Sequence, residues 1–522
     1  MNVIFSNISK FFTFLLLPWL FIAPCVQGFN YLFQAFVGEG SHFLTAAHLA
    51  EVLVHRGHNV TFIISSACSY HQLDPRWGSL FEFVIYDNPH PDNAFKRTFD
   101  DYVEFSYREG ITQGVLTHLP KLLNSAAVDC DSILSDEPLI KRLKDRNFDL
   151  FIFDGGWFCS PMIAEKLNLR TILFYPGGYN SGLAGLLGAS AGMSYTSFLV
   201  EGISSPPFSF CQRLHNFFSF VYQTIAFTKN VISHYDTIRE KHNISQHLRM
   251  DEFLEGNIEL ALMNMDSEIE MLAPLTPNVI PVGGLTAQPA KSLPTELEKF
   301  VENTTEGVVV FSLGSYVNVF PRRVQHVIIE AFSLIPYQIV FKFDNKDNIT
   351  LPSNVKALKW LPQNDLLGHE KIQVLVFQGG NNGFYEAVYH GVPMVILPIM
   401  GDQGQVANKA ENHGIGVSLN IRTMTSVDLK RAITNVMTNA TIRYNIQRAR
   451  DIYHHRPMNA SDRAVYWVEH VTQFGGVAYR PNAFHLNILQ YNLLDVSVYL
   501  ISVLVCFLFL VYKTFLLCCR FV

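Results

Sequence analysis

The stretch VFQGGNNGFYEAVYHGVPMVILPIMGDQ, residues 376–403, gathers groups able to hold a phosphorylated sugar. A strand-like VLVFQ runs into Gly379 and Gly380, which let the backbone turn sharply and come close to a ligand. Asn381 or Asn382 is expected to cap the helix that follows. A helix N-terminus with free amides is an anion site. Glu386 lies one turn beyond Asn382 on the same face, where a carboxylate could accept bonds from ribose hydroxyls, as acidic residues do in dinucleotide folds. After the next strand, Asp402 and Gln403 add acceptors and donors suited to sugar hydroxyls. The glycines alone would fit an ordinary strand–helix–strand crossover; the whole series is far more specific.

Strand-like runs alternate with helical ones along the chain, which predicts parallel α/β construction. YLFQAFV, GEGSH, FLTAAHLAEVLVHRG and NVTFIIS read as strand, loop, helix and strand. DLFIFDGGW delivers Asp154 at a strand end, and GVVVFSLGS runs into a Gly/Ser turn. The polar, Pro-containing TAQPAKSLP reads as an interdomain linker. The expectation is two Rossmann-like domains, 29–285 and 286–480, facing a cleft. Ligands of open parallel sheets sit beyond the carboxyl ends of the strands. His42, Asp154, Ser312, Ser315, Gln378, Asn382, Asp402 and Gln403 all fall at such ends.

With 522 residues the chain has room for two or three domains, and a net charge of -6 without basic blocks argues against nucleic acid as a partner. At the N-terminus, Lys10 followed by an apolar run and small residues fits a signal peptide cleaved near Gly28, covering 1–28. Near the C-terminus an uncharged run, 496–512, is long enough to cross a bilayer. A juxtamembrane segment, 481–495, precedes it. Lys513 and Arg520 follow, which places the tail, 513–522, in the cytosol. Sequons at Asn243, Asn303, Asn348, Asn439 and Asn459 agree with a luminal body; Asn59 also matches but opens a strand expected to be buried. Cys68, Cys130, Cys159 and Cys211 are widely spaced, show no metal pattern and leave their pairing undetermined.

The 376–403 stretch resembles the signature of UDP-glycosyltransferases of the UDP-glucuronosyltransferase family. KWLPQNDLLGH (359–369), GVVVFSLGS, PNVIPVGGL, SDRAVYWVEHV and QYNLLDV are similar to further blocks of that family. The resemblance implies a two-domain GT-B fold, an inverting mechanism, no cofactor and no metal. It implies that Trp360 stacks on uracil and that Gln363 contacts base or ribose. Ser312, Gly314 and Ser315 would approach the diphosphate. Gln378 and Asn382 would touch phosphate beside Gly379 and Gly380, Glu386 the ribose, and Asp402 with Gln403 the donor sugar. His42 stands where the family places its base, and Asp154 is the residue matching the carboxylate that holds it. A neutral histidine suits proton abstraction from an acceptor hydroxyl near pH 7. The implied partners are UDP-glucose or UDP-glucuronic acid, a lipophilic small-molecule acceptor and a membrane of the endoplasmic reticulum or another secretory compartment. Whether the protein is a homo- or hetero-oligomer is left open.

Two motifs point elsewhere. GASAG, 188–192, matches the G-x-S-x-G elbow of serine hydrolases, with Ser190 as nucleophile, but a flexible Gly-rich stretch precedes it instead of a strand. Asp129 and Asp131 resemble an Asp-x-Asp metal site, but on a helix two such carboxylates diverge, so a solvated face with Cys130 inward is expected. A non-catalytic relative acting as a binding partner is the other class; the presence of His42 and Asp154 weighs against it. Gln378 stands where many family members have His. It still donates a hydrogen bond but carries no charge, and it resembles the arthropod and baculoviral branch. Asn264 aligns where vertebrate relatives carry Arg, which tilts the expectation towards UDP-glucose, since a guanidinium would suit a glucuronate carboxylate. The tail lacks a dilysine ending, and Cys518 and Cys519 read either as acylation sites beside the membrane or as plain apolar tail residues, the latter preferred. The acceptor pocket is expected near YPGGYNSG and SSPPFSF.

Overall fold

The structure, a computed structural model, describes residues 28–90, 94–178, 185–188, 192, 194–195, 207–270, 274–317, 321–345 and 349–520. Almost all of the expected signal peptide, Ser190, Asn348, and parts of YPGGYNSG and SSPPFSF lie outside these residues.

The strands form two all-parallel sheets. The first contains β1 (Asn30–Gln34), β2 (Asn59–Ser65), β3 (Glu82–Tyr86), β4 (Leu150–Asp154), β5 (Thr171–Tyr175), β6 (Ile258–Met263) and β7 (Val279–Pro281), in the order β3-β2-β1-β4-β5-β6-β7. The second contains β8 (Val308–Ser312), β9 (Gln338–Lys342), β10 (Val355–Leu358), β11 (Ile372–Phe377), β12 (Met394–Ile396) and β13 (Gly416–Ser418), in the order β10-β9-β8-β11-β12-β13. Central strands such as LFIFD, IELALM and VVVFS are buried at every position. Sheets sandwiched between helices produce such continuous apolar runs instead of alternation.

Strand order decides where the cleft falls. The chain runs outward from β1 to β3, then returns to place β4 on the other side of β1. The second sheet repeats the move with β8 and β11. At these switch points the loops leave in opposite directions and open a crevice. Register keeps the strand ends level, with Gln34 opposite Phe153 and Ser312 opposite Phe377.

Eight helices bear on the site and are numbered in chain order: α1 (Gly40–His55), α2 (Ala94–Glu109), α3 (Ile111–Ser135), α4 (Phe210–Phe227), α5 (Asn381–His390), α6 (Gln403–Asn412), α7 (Ala460–Phe474) and α8 (Leu494–Arg520). Two of them stitch the halves together. Tyr102, Val103 and Tyr107 of α2 are buried in the core of the second sheet with Val309, Phe311 and Leu313. In the other direction, Val465, Val468 and Val471 of α7 pack into the first sheet's core with Leu53 and Val60. Each such valine contributes roughly 1.5–3 kcal/mol on burial. Arg170 fastens the end of α7 by donating to the carbonyls of Val471 (2.7 Å) and Thr472 (2.5 Å). The stretch 286–480, expected to form one C-terminal domain, thus ends by crossing back onto the first.

A disulfide joins Cys130 of α3 to Cys159, with Cα atoms 5.4 Å apart, and both residues are buried. The expectation of a solvated face around it is corrected. Asp129 is buried beside His90 (3.1 Å), while Asp131 meets Lys241 (2.6 Å) and His242 (2.7 Å). The two carboxylates diverge as expected of positions two apart on a helix, with Cys130 facing inward between them. Asn59 is exposed at the first position of β2, whose other six residues are buried, as expected of that strand. Of the other sequons, Asn243, Asn303 and Asn459 are exposed and Asn439 is partly exposed. Helix α8 starts two residues before the expected span and continues through Lys513. The candidate span within it is 26 residues, about 39 Å at 1.5 Å per residue, enough to cross a bilayer.

Candidate active site

His42 sits in the first turn of α1, one step later than the loop position the sequence suggested. Asp154 ends β4, the neighbour of β1. The switch point brings the two side chains together: His42 Nδ1 lies 2.6 Å from Asp154 Oδ2. Asp154 is buried, and its other oxygen accepts from the Gly156 amide at 2.8 Å. A carboxylate at Nδ1 sets the tautomer, placing the proton there and leaving Nε2 as a lone-pair base. Burial pushes the imidazole pKa down, but the charge and hydrogen bond of Asp154, with Asp402 adding to them, outweigh it and the net shift is upward.

The second sheet supplies an anion-ready end opposite. Helix α5 begins at Asn381 with Gly380 as its N-cap residue and no side-chain cap. This corrects the expected asparagine cap. The Asn381 amide instead reaches the carbonyls of Asn264 and Pro176, leaving the first amides of α5 without a side-chain acceptor. Such a helix end is suited to phosphate. Gly314, at φ +80°, has no room for a side chain because Gln378 lies directly against it. Gly379, at φ +93°, packs on the backbone of Gln403. Its role is to let the β11 turn meet that loop, so it does not face the cleft as expected. Lys342 donates to the Gly314 carbonyl and lies 5.7 Å from the Trp360 ring centroid; burial lowers its pKa. Trp360 is 59% exposed, a flat face open to a nucleobase.

Glu386 is nine-tenths buried and accepts from Thr286 Oγ1 (2.9 Å) and Gln363 Nε2 (2.8 Å). Burial raises its pKa from 4.5 to about 7, because the two hydrogen bonds offset the desolvation only in part. Asp402 is also pushed up by burial, against the opposing pull of His42 and Lys409. Gln403 is half committed: its carbonyl end accepts from the amides of Ile399 (2.9 Å) and Met400 (3.0 Å), so only its nitrogen remains for a sugar.

Asn382 is the larger surprise. Its amide donates to Thr45 of α1 (2.8 Å), and its carbonyl accepts from Asn264 (3.0 Å). Asn264 is fully buried; its nitrogen also meets the Pro176 carbonyl and its oxygen accepts from the Gly284 amide. Both ends of Asn264 are spent inside the protein, so the case for a neutral donor sugar built on it is withdrawn. Further contacts close the cleft across the domains. Tyr316 donates to the Glu39 carbonyl (2.7 Å), and the Gly401 amide donates to Tyr102 (3.2 Å). Thr45, Tyr102, Thr286, Tyr316 and Lys342 carried no local signal in the sequence.

A single cleft of about 2320 Å³ is lined by His42, Ser312, Gly314, Ser315, Trp360, Gln363, Gln378, Gly380, Asn382, Glu386, Asp402 and Gln403. Asp154 lies behind His42. Two parallel sheets whose switch points share one cleft define the GT-B class of glycosyltransferases. Solved structures agree on the fold. The glycotransferase of kitacinnamycin matches with a TM-score of 0.58 at 17% identity, over 85% of this chain and 98% of that one. Glycosyltransferase VinC in complex with dTDP matches with a TM-score of 0.56 at 16% identity, over 85% and 99%.

Residues 34–522 match the family described as "UDP-glucoronosyl and UDP-glucosyl transferase", and the chain belongs to it. UDP-glucuronosyltransferase 2B1 of Rattus norvegicus is 31% identical over 92% of each chain. UDP-glucuronosyltransferase 2C1 of Oryctolagus cuniculus is 34% identical over 75% of this chain and 77% of that one. The protein is a UDP-glycosyltransferase enzyme.

Proposed function

We infer that the enzyme moves a hexose, glucose or glucuronic acid, from a UDP-sugar to a hydroxyl of a small lipophilic acceptor, inverting the anomeric centre. Such a reaction conjugates foreign compounds, hormones or lipids. The observation that carries the reading is the 2.6 Å contact of His42 Nδ1 with Asp154 Oδ2 in the cleft that also holds Trp360 and Glu386. Nε2 takes the acceptor's proton, the freed oxygen bonds to the anomeric carbon, and the carbon–oxygen bond to UDP breaks with its electrons leaving on the diphosphate. Asp154 stabilises the imidazolium. The uncapped start of α5, the turn carrying Ser312, Gly314 and Ser315, and Lys342 stabilise the leaving charge. Trp360 stacks on uracil, Glu386 takes the ribose, and Asp402 with the Gln403 nitrogen takes the sugar. No metal enters this scheme, so activity should persist in excess chelator.

The names of the relatives favour glucuronate as donor, and Asn264 no longer argues against it. The disulfide, the exposed sequons and α8 support a body in a secretory lumen with a short cytosolic tail. The deciding assay offers labelled UDP-glucose and UDP-glucuronate separately, against a panel of aglycones, with His42→Ala as control. Full activity of His42→Ala would end the mechanism.

A further inference from the structure

Asp402 and the Gln403 nitrogen are the partners inferred above for the donor sugar, and both stand in the second domain. Tyr102, on α2 of the first domain, reaches the same spot. Its side chain is 3% exposed and lines the cleft together with Met400, Gly401 and Asp402. The hydroxyl oxygen accepts from the Gly401 amide at 3.2 Å, one residue before Asp402. That bond uses a lone pair and leaves the O–H itself to donate. Among the described residues, no acceptor takes that proton. A buried donor that keeps no partner is costly. With the cleft open, water can serve it; a ligand that displaces the water has to replace it.

The ring is held firmly in place. A Cβ at Gly114 of α3 would come within 2.9 Å of Tyr102 Cε2, so α3 packs directly against it. Phe99 meets it edge-on, with ring centroids 6.1 Å apart. Burial raises the phenol's pKa, opposed by the Gly401 amide and reinforced by the charge of Asp402, so the hydroxyl keeps its proton through the neutral range. A donor fixed by packing before the ligand arrives is the arrangement a binding site needs. The surroundings say which part of the ligand meets it. Asp402 is close enough to act electrostatically on both His42 and Tyr102. The acceptor oxygen sits on His42, and the anomeric carbon must lie beside that oxygen. The group between His42, Asp402 and Tyr102 is therefore the sugar.

We propose that Tyr102 is a further donor-binding residue: its phenolic O–H donates to an exocyclic oxygen of the transferred sugar beside Asp402. The first domain, besides carrying His42, then takes part in choosing the donor. The proposal rests on the UDP-sugar transfer inferred above. A phenol can serve a hydroxyl or the carboxylate of glucuronate, since it donates to either.

The test is Tyr102→Phe in the full-length protein, which keeps the ring's packing and removes one O–H. Binding of UDP, and of the UDP-sugar that the wild type uses, is measured by calorimetric titration. UDP should bind both proteins equally. The UDP-sugar should bind the variant roughly 2- to 10-fold more weakly where the partner is a hydroxyl, and by more than that where it is a carboxylate, the usual worth of neutral and charged hydrogen bonds. The Gly401 amide also loses its acceptor in this variant, so monodeoxy UDP-sugars and UDP-xylose separate contact from loop support. The weakening should vanish for the one analogue that lacks the partner oxygen. Equal weakening for every analogue, or for UDP as well, assigns Tyr102 to closure alone and overturns the proposal. Unchanged sugar binding overturns it too, as does a raised acceptor KM at unchanged donor affinity. A wild-type protein that binds neither UDP-glucose nor UDP-glucuronate would instead refute the transfer reaction on which the proposal stands.

Discussion

Glu386 offers the sharpest quantitative test. Its carboxyl is raised from 4.5 to about 7 by burial. At about 1.4 kcal/mol per pH unit, that gap is roughly 3 kcal/mol held against the ionised form. The direction follows from linkage. A raised carboxyl costs nothing below pH 4.5, and the ligand-free protein loses stability as pH climbs from there through 7. A ribose donating two hydroxyls to the carboxylate would reverse the preference and expel the proton. A UDP-sugar is the right probe, because its diphosphate does not titrate in this range. Calorimetric titration at pH 6, 7 and 8, in buffers of differing ionisation enthalpy, should show close to one proton released at pH 6 and almost none at pH 8. Affinity should rise with pH up to about 7 and then level. Glu386→Gln should abolish both effects and weaken binding at pH 8 by roughly 1.5–3 kcal/mol, the worth of hydrogen bonds to a charged group. The same variant should be more stable than wild type without ligand at pH 8, by up to about 3 kcal/mol on the linkage above. Proton release that persists in Glu386→Gln, or equal affinity of the two proteins, would show that this carboxyl does not hold the ribose.

Other expectations can be checked alongside. The acid limb of kcat/KM should lie above 6.5, because Asp154 raises His42, and Asp154→Asn should move it down while lowering kcat by roughly 10²–10⁴. Trp360→Ala should weaken UDP by about 1–3 kcal/mol, the usual worth of stacking one base, with an unchanged melting temperature, since the indole is 59% exposed. Alkylation before and after reduction should find Cys130 and Cys159 modified only after reduction, and Cys130→Ala/Cys159→Ala should cost about 2–4 kcal/mol of stability. Tyr316→Phe, which removes the hydroxyl bound to the Glu39 carbonyl, should raise the KM for donor and acceptor together, as expected of a closure contact rather than a ligand contact.

What the sequence made legible was local. Gly379, Gly380, Glu386 and Asp402 stand within one strand–helix–strand unit, so their spacing alone placed them at a common end. His42 and Asp154 were legible because each follows an apolar run at a strand end, and parallel sheets align such ends. What escaped was set by the other domain. Asn381 or Asn382 was expected to cap the helix; instead the Asn381 side chain is turned to the carbonyls of Asn264 and Pro176, far away in sequence. Asn382 looked like a phosphate ligand until Thr45, on the facing domain, took its amide. Asn264 drew attention through alignment, yet its burial shows that it braces the interdomain seam. Contacts at separations of a hundred residues or more leave no periodic trace in the chain.

The crossing of α7 into the first domain's core decides which half of the enzyme the C-terminal helix is attached to. Through α7, Arg170 and Arg480, the chain leading to α8 is fastened to the domain that bears His42. These contacts tie the chain leading to α8 to the first domain and leave the second sheet out of the tie. On the proposal that α8 is a membrane anchor, any movement that exchanges the nucleotide falls to the second sheet, and Arg456, which donates to Asp266 and to the Gly283 carbonyl, stands where the chain crosses between the halves.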